Sequence, residues 1–304
     1  MRIGIMAEPF AQKLDQIKEE VALAQASGVS TYWLAQIWRY DALTLIPILA
    51  EMAPDVEFAS GVVASYLRHP MTLASQALTV SLLTNGKFTL GLGLMHKPLI
   101  EGMFEMSFDK PARHMREYLE ILLPALEQKN VDVSGTTVSY HGDMDVPDAP
   151  RTPVMLAALG PHMLKLCGSY TDGTIMWMTG PRTLREDVLP KLESAAEQAN
   201  RQAPRMAVLI PVLITDDIDA GRKQAAETYA VYGEMPSYAA MLEREGFDAP
   251  EDYVLVGSEE HVREQISSYE AAGVTDFGIQ IAPSGERART LEFVAALARE
   301  HRHT

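Results

Sequence analysis

Cysteine, long apolar runs and clustered positive charge are all scarce in this chain. Cys167 is the only cysteine among 304 residues, so no intrachain disulfide can form, and no Cys and His residues have the spacing of a zinc site. No window approaches 18 uninterrupted apolar residues, which argues against a membrane span. The apolar run before Glu8 is too short for a secretory signal. We therefore expect a cytoplasmic protein without a membrane partner, with Cys167 in the core.

Basic residues are outnumbered by acidic ones. The chain has 26 Lys and Arg against 41 Asp and Glu, a formal net charge of −15. Nucleic-acid binding requires clustered Lys and Arg, so nucleic acid is not expected as a partner. No Ser-His-Asp or Cys-His arrangement and no carboxylate cluster at metal spacing is visible, which disfavours an unaided hydrolase and a metalloenzyme. A small-molecule substrate is the expected partner.

Short apolar strands alternate with amphipathic helices from one end of the chain to the other. This alternation is typical of a parallel sheet covered by helices, and about eight units favour a closed (β/α)8 TIM barrel over an open sheet. No Pro/Ser-rich linker divides residues 1–304, which are predicted to form a single domain. The predicted strands are Arg2–Glu8, Thr31–Gln36, Phe58–Ser65, Phe88–Met95, Val154–Leu159, Thr174–Met178, Met206–Thr215, Tyr253–Val256 and Asp276–Ile281.

Two connections are longer than usual for a barrel. Residues 94–110 and 216–252 are predicted insertions after strands four and seven, at the mouth where the strands end. Barrels place their active sites on that face, so both insertions are expected to cover the substrate. Met103, Phe104 and Met106 suggest an apolar cover, although a methionine-rich loop can equally be a dimer contact.

Few ionisable groups stand at the predicted strand ends. Glu8, at the end of strand one, is a candidate to donate or accept a proton, and a capping or ion-paired carboxylate is the alternative. His96 follows strand four without an evident partner. His114, His301 and His303 are expected at the surface.

Small residues are a stronger signal. Gly61, Gly91 and Gly93 occupy predicted strands where a barrel interior usually has bulky side chains. Glycine inside a strand marks a bulge or a close approach by backbone or ligand. "GLGL" lacks the third glycine and the following helix of a dinucleotide fingerprint.

The stretch "PVMLAALGPHMLKL" (153–166) passes from strand to helix through Gly160 and Pro161. Proline at the first helical turn loses no hydrogen bond, and the free N–H groups after it, with the positive end of the helix dipole, make an anion site. A tight turn without a ligand is the alternative.

Three segments carry a resemblance to a known family. They are "GVVASYLRHPMTLASQALTVSLLTNGKFTLGLGL" (61–94), "PVMLAALGPHMLKLCGSYTDGTIMWMTGP" (153–181) and "YVLVGSEEHVREQISSYEAAGVTDFGIQI" (253–281). In this order they resemble the bacterial luciferase-like superfamily, in its branch of deazaflavin-dependent oxidoreductases that use coenzyme F420. The resemblance implies the same barrel, a flat cofactor ring at its mouth, and a homodimer or higher homo-oligomer.

The resemblance also assigns residues. It implies a cis peptide at Gly61–Val62, bulging against the ring, and a phosphate-bearing tail held after strand five. The cofactor-binding residues are expected to be Gly61, Val62, Ala64, Leu94, Met95, Leu159, Gly160, Pro161, His162 and Met178.

Two departures from the branch bear on the reaction. Glu8 matches the acid after strand one, but Gln36 stands at the catalytic position where related sugar-phosphate and alcohol dehydrogenases have histidine, and Leu94 replaces their strand-four acid. Because glutamine cannot act as a base, reduction of an activated C=C or C=N bond by hydride from the reduced deazaflavin is favoured, with the proton from Glu8 or water. The alternatives are an FMN-dependent monooxygenase and a non-catalytic ligand-binding barrel. The substrate pocket is expected to include Trp38, Tyr40, Trp177 and Met103.

Overall fold

Twelve strands are present in the computed structural model, which describes residues 1–10, 12–36 and 39–301. They are β1 (Arg2–Met6), β2 (Thr31–Leu34), β3 (Glu57–Ser60), β4 (Val63–Ala64), β5 (Phe88–Gly93), β6 (Val131–Ser134), β7 (Ser139–Gly142), β8 (Val154–Ala157), β9 (Gly173–Trp177), β10 (Arg205–Ile214), β11 (Leu255–Gly257) and β12 (Asp276–Ile281). Eight of them pair in parallel in the order β1-β2-β3-β5-β8-β9-β10-β12, and β12 pairs with β1. The predicted (β/α)8 barrel is confirmed.

Helices surround the barrel and build its insertions. They are α1 (Leu14–Ser27), α2 (Ala42–Ala50), α3 (Pro70–Leu83), α4 (Lys97–Met103), α5 (Pro111–Leu126), α6 (Pro161–Tyr170), α7 (Pro181–Thr183), α8 (Leu189–Gln198), α9 (Ile218–Tyr229), α10 (Pro236–Glu245), α11 (Glu259–Ala271) and α12 (Arg287–Glu300). A π-helical turn, Leu184–Val188, joins α7 to α8. No helix in the described part of the chain is long and apolar enough to cross a membrane.

The structure corrects three details of the prediction. Strand three is interrupted at residues 61–62, between β3 and β4. The strand predicted from Tyr253 begins only at Leu255, because Pro250–Tyr253 forms a 3₁₀ turn, and it pairs with β10 outside the barrel. Helix α4 lies inside the insertion 94–110, where no helix was expected.

The main core fills the space between strands and helices. It is built from the alternate strand residues that face outward, such as Ile3, Ile5 and Leu90, and from the apolar faces of the surrounding helices. Cys167 on α6 lies in this core as predicted, and burial raises the pKa of its thiol to about 12.

Charged residues close the end of the barrel opposite its mouth. Arg205 pairs with Asp276 through Nη2 and Oδ1 at 2.6 Å, and its Nη1 lies 3.1 Å from Glu57 Oε1. Arg2 bonds Glu57 as well. Burial alone would raise the pKa of Glu57, but the charges of Arg205 and Arg2 and a hydrogen bond from Thr89 outweigh it and hold that pKa below its usual value. This end of a barrel serves stability.

Candidate active site

The centre of the barrel is filled by one indole. Trp33 on β2 is fully buried among inward-facing residues of the other strands, including Met6, Met155 and Leu209. Gly4 leaves the room it needs: a Cβ there would lie 3.0 Å from Trp33 Nε1 and 2.8 Å from the carbonyl oxygen of Thr31. The interior is therefore closed below the mouth, and any ligand must lie above Trp33.

The mouth has a floor of small side chains beside a bulge. The Gly61–Val62 peptide bond is cis, as the resemblance implies. A Cβ on Gly93 would lie 2.6 Å from Val62 Cγ2 and 3.3 Å from Ala157 Cβ, so Val62 fills the space that Gly93 leaves. Ala35 and Val62 are partly exposed above the interior cluster. A flat group can rest on this side of the mouth.

Gly91 is one of the strand glycines for which the sequence predicts a bulge or a close approach by backbone or ligand. A Cβ there would lie 1.8 Å from the carbonyl oxygen of Ser60. Ser60 Oγ also donates to the Gly91 carbonyl oxygen and accepts from its N–H, both at 2.9 Å. Backbone, and not ligand, makes the close approach at Gly91.

Glu8 stands at the end of β1 and is held by its own loop. Its Oε1 accepts from the backbone N–H of Phe10 at 2.8 Å, and its Oε2 accepts from that of Gln12 at 3.0 Å. Both bonds lie in the loop between β1 and α1, so the carboxylate has a structural role there but does not cap α1, whose N-cap is Lys13. That role fixes its position without removing it from the chemistry of the mouth.

Gln36 follows β2, and only one end of its side-chain amide is hydrogen-bonded in the described chain. Its Nε2 donates to Asp41 Oδ2 at 3.0 Å, and Asp41 also pairs with Arg68. Its Oε1 is buried and has no hydrogen-bond partner among the described residues. A buried acceptor without a partner is costly unless a ligand supplies a donor.

The junction after β8 has the geometry of an anion site. Gly160 is the N-cap of α6 and Pro161 lies in its first turn; the first backbone hydrogen bond of the helix runs from Leu164 N to Gly160 O. The N–H groups of His162 and Met163 lie in the first turn, where a helix has no acceptor of its own for them, and the N-cap, a glycine, supplies no side-chain acceptor. A Cβ on Gly160 would meet nothing within 4 Å, so space for a ligand is open there. Leu159 beside it is half-buried.

The remaining predicted cofactor residues differ in accessibility. Leu94 and Met95 are half-buried after β5, and Met95 has a φ of 67°. Ala64 pairs with Gly93 and is 7% exposed. Met178 is 1% exposed and packs beneath the insertion that follows β10, so its side chain contributes support more than contact surface.

Tyrosines that the sequence analysis missed cover the other side of the mouth. Tyr229, Tyr232 and Tyr238, here called the tyrosine cover, come from the insertion 216–252 and are all buried. The Trp177 ring lies 6.3 Å from that of Tyr229 and 5.9 Å from that of Tyr232, between centroids. The signal was present in the sequence as an unusual density of tyrosine within one insertion.

Polar groups of the barrel reach the tyrosine cover. Tyr229 Oη donates to Gln280 Oε1 at 2.6 Å. Gln280 lies on β12, the strand that pairs with β1. Burial raises the pKa of Tyr232 to about 12, and the negative charge of Glu8 adds to the rise. Both hydroxyls therefore stay protonated near neutral pH, close to the one carboxylate predicted at the mouth.

The two insertions meet above the mouth. The His96 ring at the start of α4 lies 5.9 Å from the ring of Tyr238, between centroids. Burial lowers the pKa of His96, so its imidazole is neutral near pH 7. This places His96 at the seam between the insertions.

The predicted substrate-pocket residues divide into several groups. Trp177 bridges the barrel interior and the tyrosine cover. Tyr40 instead packs against the main core, and its Oη accepts from Leu14 N at 3.1 Å. Met103 is 60% exposed at the end of α4. Trp38 lies outside the described residues.

The surface prediction for three histidines is wrong for His114. That side chain is 7% exposed, because α5 turns it toward Ser65. His301 is half-buried, and His303 lies outside the described residues. Over residues 1–10, 12–36 and 39–301, no three His, Cys, Asp or Glu side chains are grouped to hold a metal ion.

Comparisons with known proteins agree with this architecture. A Mycobacterium tuberculosis protein named as a coenzyme F420-dependent oxidoreductase is 26% identical over 96% of this chain and 98% of its own length. The coenzyme F420-dependent tetrahydromethanopterin reductase of Methanopyrus kandleri superposes with a TM-score of 0.82, at 20% identity over 99% of each chain. The FMN complex of the oxygenating constituent of 3,6-diketocamphane monooxygenase from Pseudomonas putida gives 0.75, at 17% identity over 99% and 97%.

Fold, mouth and relatives together define an enzyme of the oxidoreductase class built on a (β/α)8 barrel. The chain belongs to the luciferase-like monooxygenase family, whose model matches residues 1–276.

Proposed function

We propose that this enzyme uses coenzyme F420 to transfer a hydride between the deazaflavin and a small organic substrate, and that its reaction is reduction of an activated C=C or C=N bond. The observation that carries the proposal is the joint geometry of the mouth. A floor of small residues at Ala35, Val62 and Ala157 lies on the same face as the open helix terminus at Gly160. The F420-dependent relative of similar length supports the choice of cofactor.

The residues present fit a flat ring with an anionic tail. Val62 and Met95 offer half-buried apolar surface for the ring. The N–H groups of His162 and Met163 offer two donors and the positive end of α6 for a phosphate. Gln36 Oε1 offers a buried acceptor for a ring N–H. When bound, the reduced cofactor supplies the hydride.

The protein's own residues position the reactants and handle one proton. Trp33 closes the space below, and the tyrosine cover with Trp177 limits water on the substrate side. Glu8, fixed by two backbone N–H groups, is the proton donor or holds a water that donates. Gln36 positions groups but cannot accept a proton, which disfavours alcohol oxidation.

Titration of the purified protein with each cofactor tests the proposal. We expect F420 to bind more tightly than FMN. We also expect activated alkenes or iminium compounds in a substrate panel to reoxidise reduced F420 in the presence of the protein. Preferential binding of reduced FMN with oxygen consumption would instead establish the monooxygenase alternative. The family description and the FMN-bound structural neighbour are the observations that support this alternative.

Self-association is the second part of the proposal. Exposed apolar side chains stand on the neighbouring helices α2 and α3: Ile48 is 55% exposed and Leu83 is 57% exposed. We propose that a second copy of the chain covers them, since the resemblance to the luciferase-like superfamily implies a homodimer or higher homo-oligomer. Light scattering of the wild type and of Ile48→Glu should show a homodimer or larger assembly that the substitution weakens. A monomeric wild type would refute it.

A further inference from the structure

A cavity lies outside the predicted cofactor site. It is bounded by the 3₁₀ turn Ser65–Leu67, the start of α5 and the residues between β6 and β7, with a volume of about 670 Å³. Small-molecule sites have volumes of this size. None of the ten predicted cofactor residues lines it.

The lining of this cavity is cationic in a chain of net charge −15. Arg68, Lys110 and Arg113 line it against a single carboxylate, Asp109. Arg68 is paired with Asp41, whereas Lys110 and Arg113 form no ion pair within 4 Å in the described chain. Arg113 also acts at longer range on the Glu117 carboxylate. Lys110 and Arg113, which have no ion-pair partner among the described residues, are therefore available to an anionic ligand.

A hydrogen-bonded wall fixes the shape of the cavity. Thr137 Oγ1 donates to Glu117 Oε2 at 2.8 Å, so it can accept from His114 Nδ1 at 3.3 Å. That arrangement leaves His114 Nε2 to accept from Ser65 Oγ at 3.2 Å. These groups satisfy one another, so the wall is ordered without a ligand.

Tyr66 contributes to the lining a polar group that has no partner in the described part of the chain. Its ring stacks on His114 at 4.1 Å and on Phe108 at 5.3 Å, between centroids. Its Oη is buried and has no hydrogen-bond partner among the described residues. Burial raises the pKa of Tyr66 to about 12, so the hydroxyl is a donor near neutral pH. A buried donor of this kind calls for an acceptor.

Apolar side chains complete the lining. Leu67 is 40% exposed and Met106 is 39% exposed, and both line the cavity. An inorganic anion alone would leave this surface in water, whereas an organic molecule would cover it.

We propose that this cavity binds a small organic anion, a molecule that carries a phosphate or carboxylate on an apolar body. Lys110 and Arg113 bind the oxyanion, Tyr66 donates a hydrogen bond, and Leu67 and Met106 contact the apolar body. The proposal does not depend on the cofactor of the barrel mouth.

Calorimetric titration with three probes tests the chemistry of the ligand. Phenyl phosphate and benzoate carry the two oxyanions on the same ring, and inorganic phosphate carries the charge alone. We expect at least one aromatic anion to bind more tightly than inorganic phosphate, and the stronger of the two identifies the phosphate or carboxylate class. If neither aromatic probe binds at a concentration of about 5 mM, the proposal is wrong, because a dissociation constant above this concentration means a very weak site.

Matched variants locate the binding. Arg113→Ala should lower the affinity for the more tightly bound probe about tenfold, as expected for loss of one charge-assisted contact. Arg116→Ala is the control, because Arg116 lies one turn further along α5, outside the lining, and pairs with Glu120 at 3.6 Å. Tyr66→Phe keeps the ring and should weaken the probe severalfold. Equal losses for Arg113→Ala and Arg116→Ala would refute the site, and F420 titration of all variants should be unchanged.

Discussion

The carboxyl group of Glu245 occupies the place that a side chain on Gly180 would take. A Cβ on Gly180 would lie 2.2 Å from Glu245 Cδ. From this position Glu245 accepts from the backbone N–H of Arg182 at 3.0 Å and of Thr183 at 2.7 Å. The end of α10 thereby caps the first turn of α7, and the insertion that bears the tyrosine cover is fastened to the barrel.

Gly180→Ala should therefore destabilise the protein. The φ of Gly180 is −84°, so the added methyl group causes no backbone strain, and its only effect is to displace Glu245. Overpacking of this kind costs about 1–3 kcal/mol, measurable as a lower free energy of unfolding in urea. Gly233→Ala is the control, since a Cβ there meets Pro250 at an ordinary 3.4 Å. Equal stability of both variants would show that Glu245 moves freely.

Gly160→Leu should weaken cofactor binding and leave the fold intact. A side chain at this position enters open space beside the N-terminus of α6, where we place the phosphate. We expect F420 affinity to fall at least about tenfold, or 1.4 kcal/mol, in a fluorescence titration. Gly102→Leu also adds a side chain in open space, on α4, and should bind as wild type does. If Gly160→Leu binds F420 with unchanged affinity, the phosphate-bearing tail does not lie at this site.

Glu8→Gln should lower turnover more than cofactor affinity. The amide cannot donate a proton as an acid does, and it leaves one fewer acceptor for the N–H groups of Phe10 and Gln12. We expect a loss of kcat of about 10²-fold in steady-state assays, within the usual range for a general acid. Glu19→Gln, exposed on α1, is the matched control. Wild-type turnover in Glu8→Gln would make water the donor.

Glu57→Gln should change how stability depends on pH. Burial opposes ionisation of Glu57, but the charges of Arg205 and Arg2 prevail and hold its pKa in the folded state below the usual 4.5. Its ionised form therefore adds stability above about pH 4.5, and this is lost as pH falls through the lower folded pKa. At pH 7 the variant should be less stable by about 1.5–3 kcal/mol, the worth of hydrogen bonds to a charged group. Urea unfolding at several pH values should show the difference shrinking in acid, and a constant difference would contradict the assignment.

Cys167 should be unreactive in the folded protein. Its side chain is fully buried, and its raised pKa keeps the thiol protonated. A thiol reagent at pH 8 should label the chain only after denaturation. Rapid labelling of the native protein would mean that α6 opens readily.

Local pattern was enough to predict the barrel and much of the strand-to-helix junction at Gly160. Apolar strands and amphipathic helices leave their period in the sequence, and Pro161 marks the helix start. The cis peptide at Gly61 came from the family resemblance and not from the residues themselves.

The failures involve contacts between distant parts of the chain. His114 was expected at the surface because nothing near it in sequence announces its contact with Ser65, 49 positions away. Likewise, Tyr229 becomes part of the mouth only because its hydroxyl meets Gln280, 51 positions away. Tertiary pairing of this kind has no local signature.

The long strand β10 has a consequence for how this enzyme can change. Its final residue, Ile214, is the direct strand partner of Gly257, so the chain leaves β10 and comes back beside the end of the same strand. Residues 215–254 thus form a module with neighbouring entry and exit points. We expect such a module to be exchangeable: replacing it with the corresponding segment of another barrel would alter the side of the mouth that bears the tyrosine cover, while the hydrogen-bonded ring of eight strands and the junction at Gly160 stay as they are.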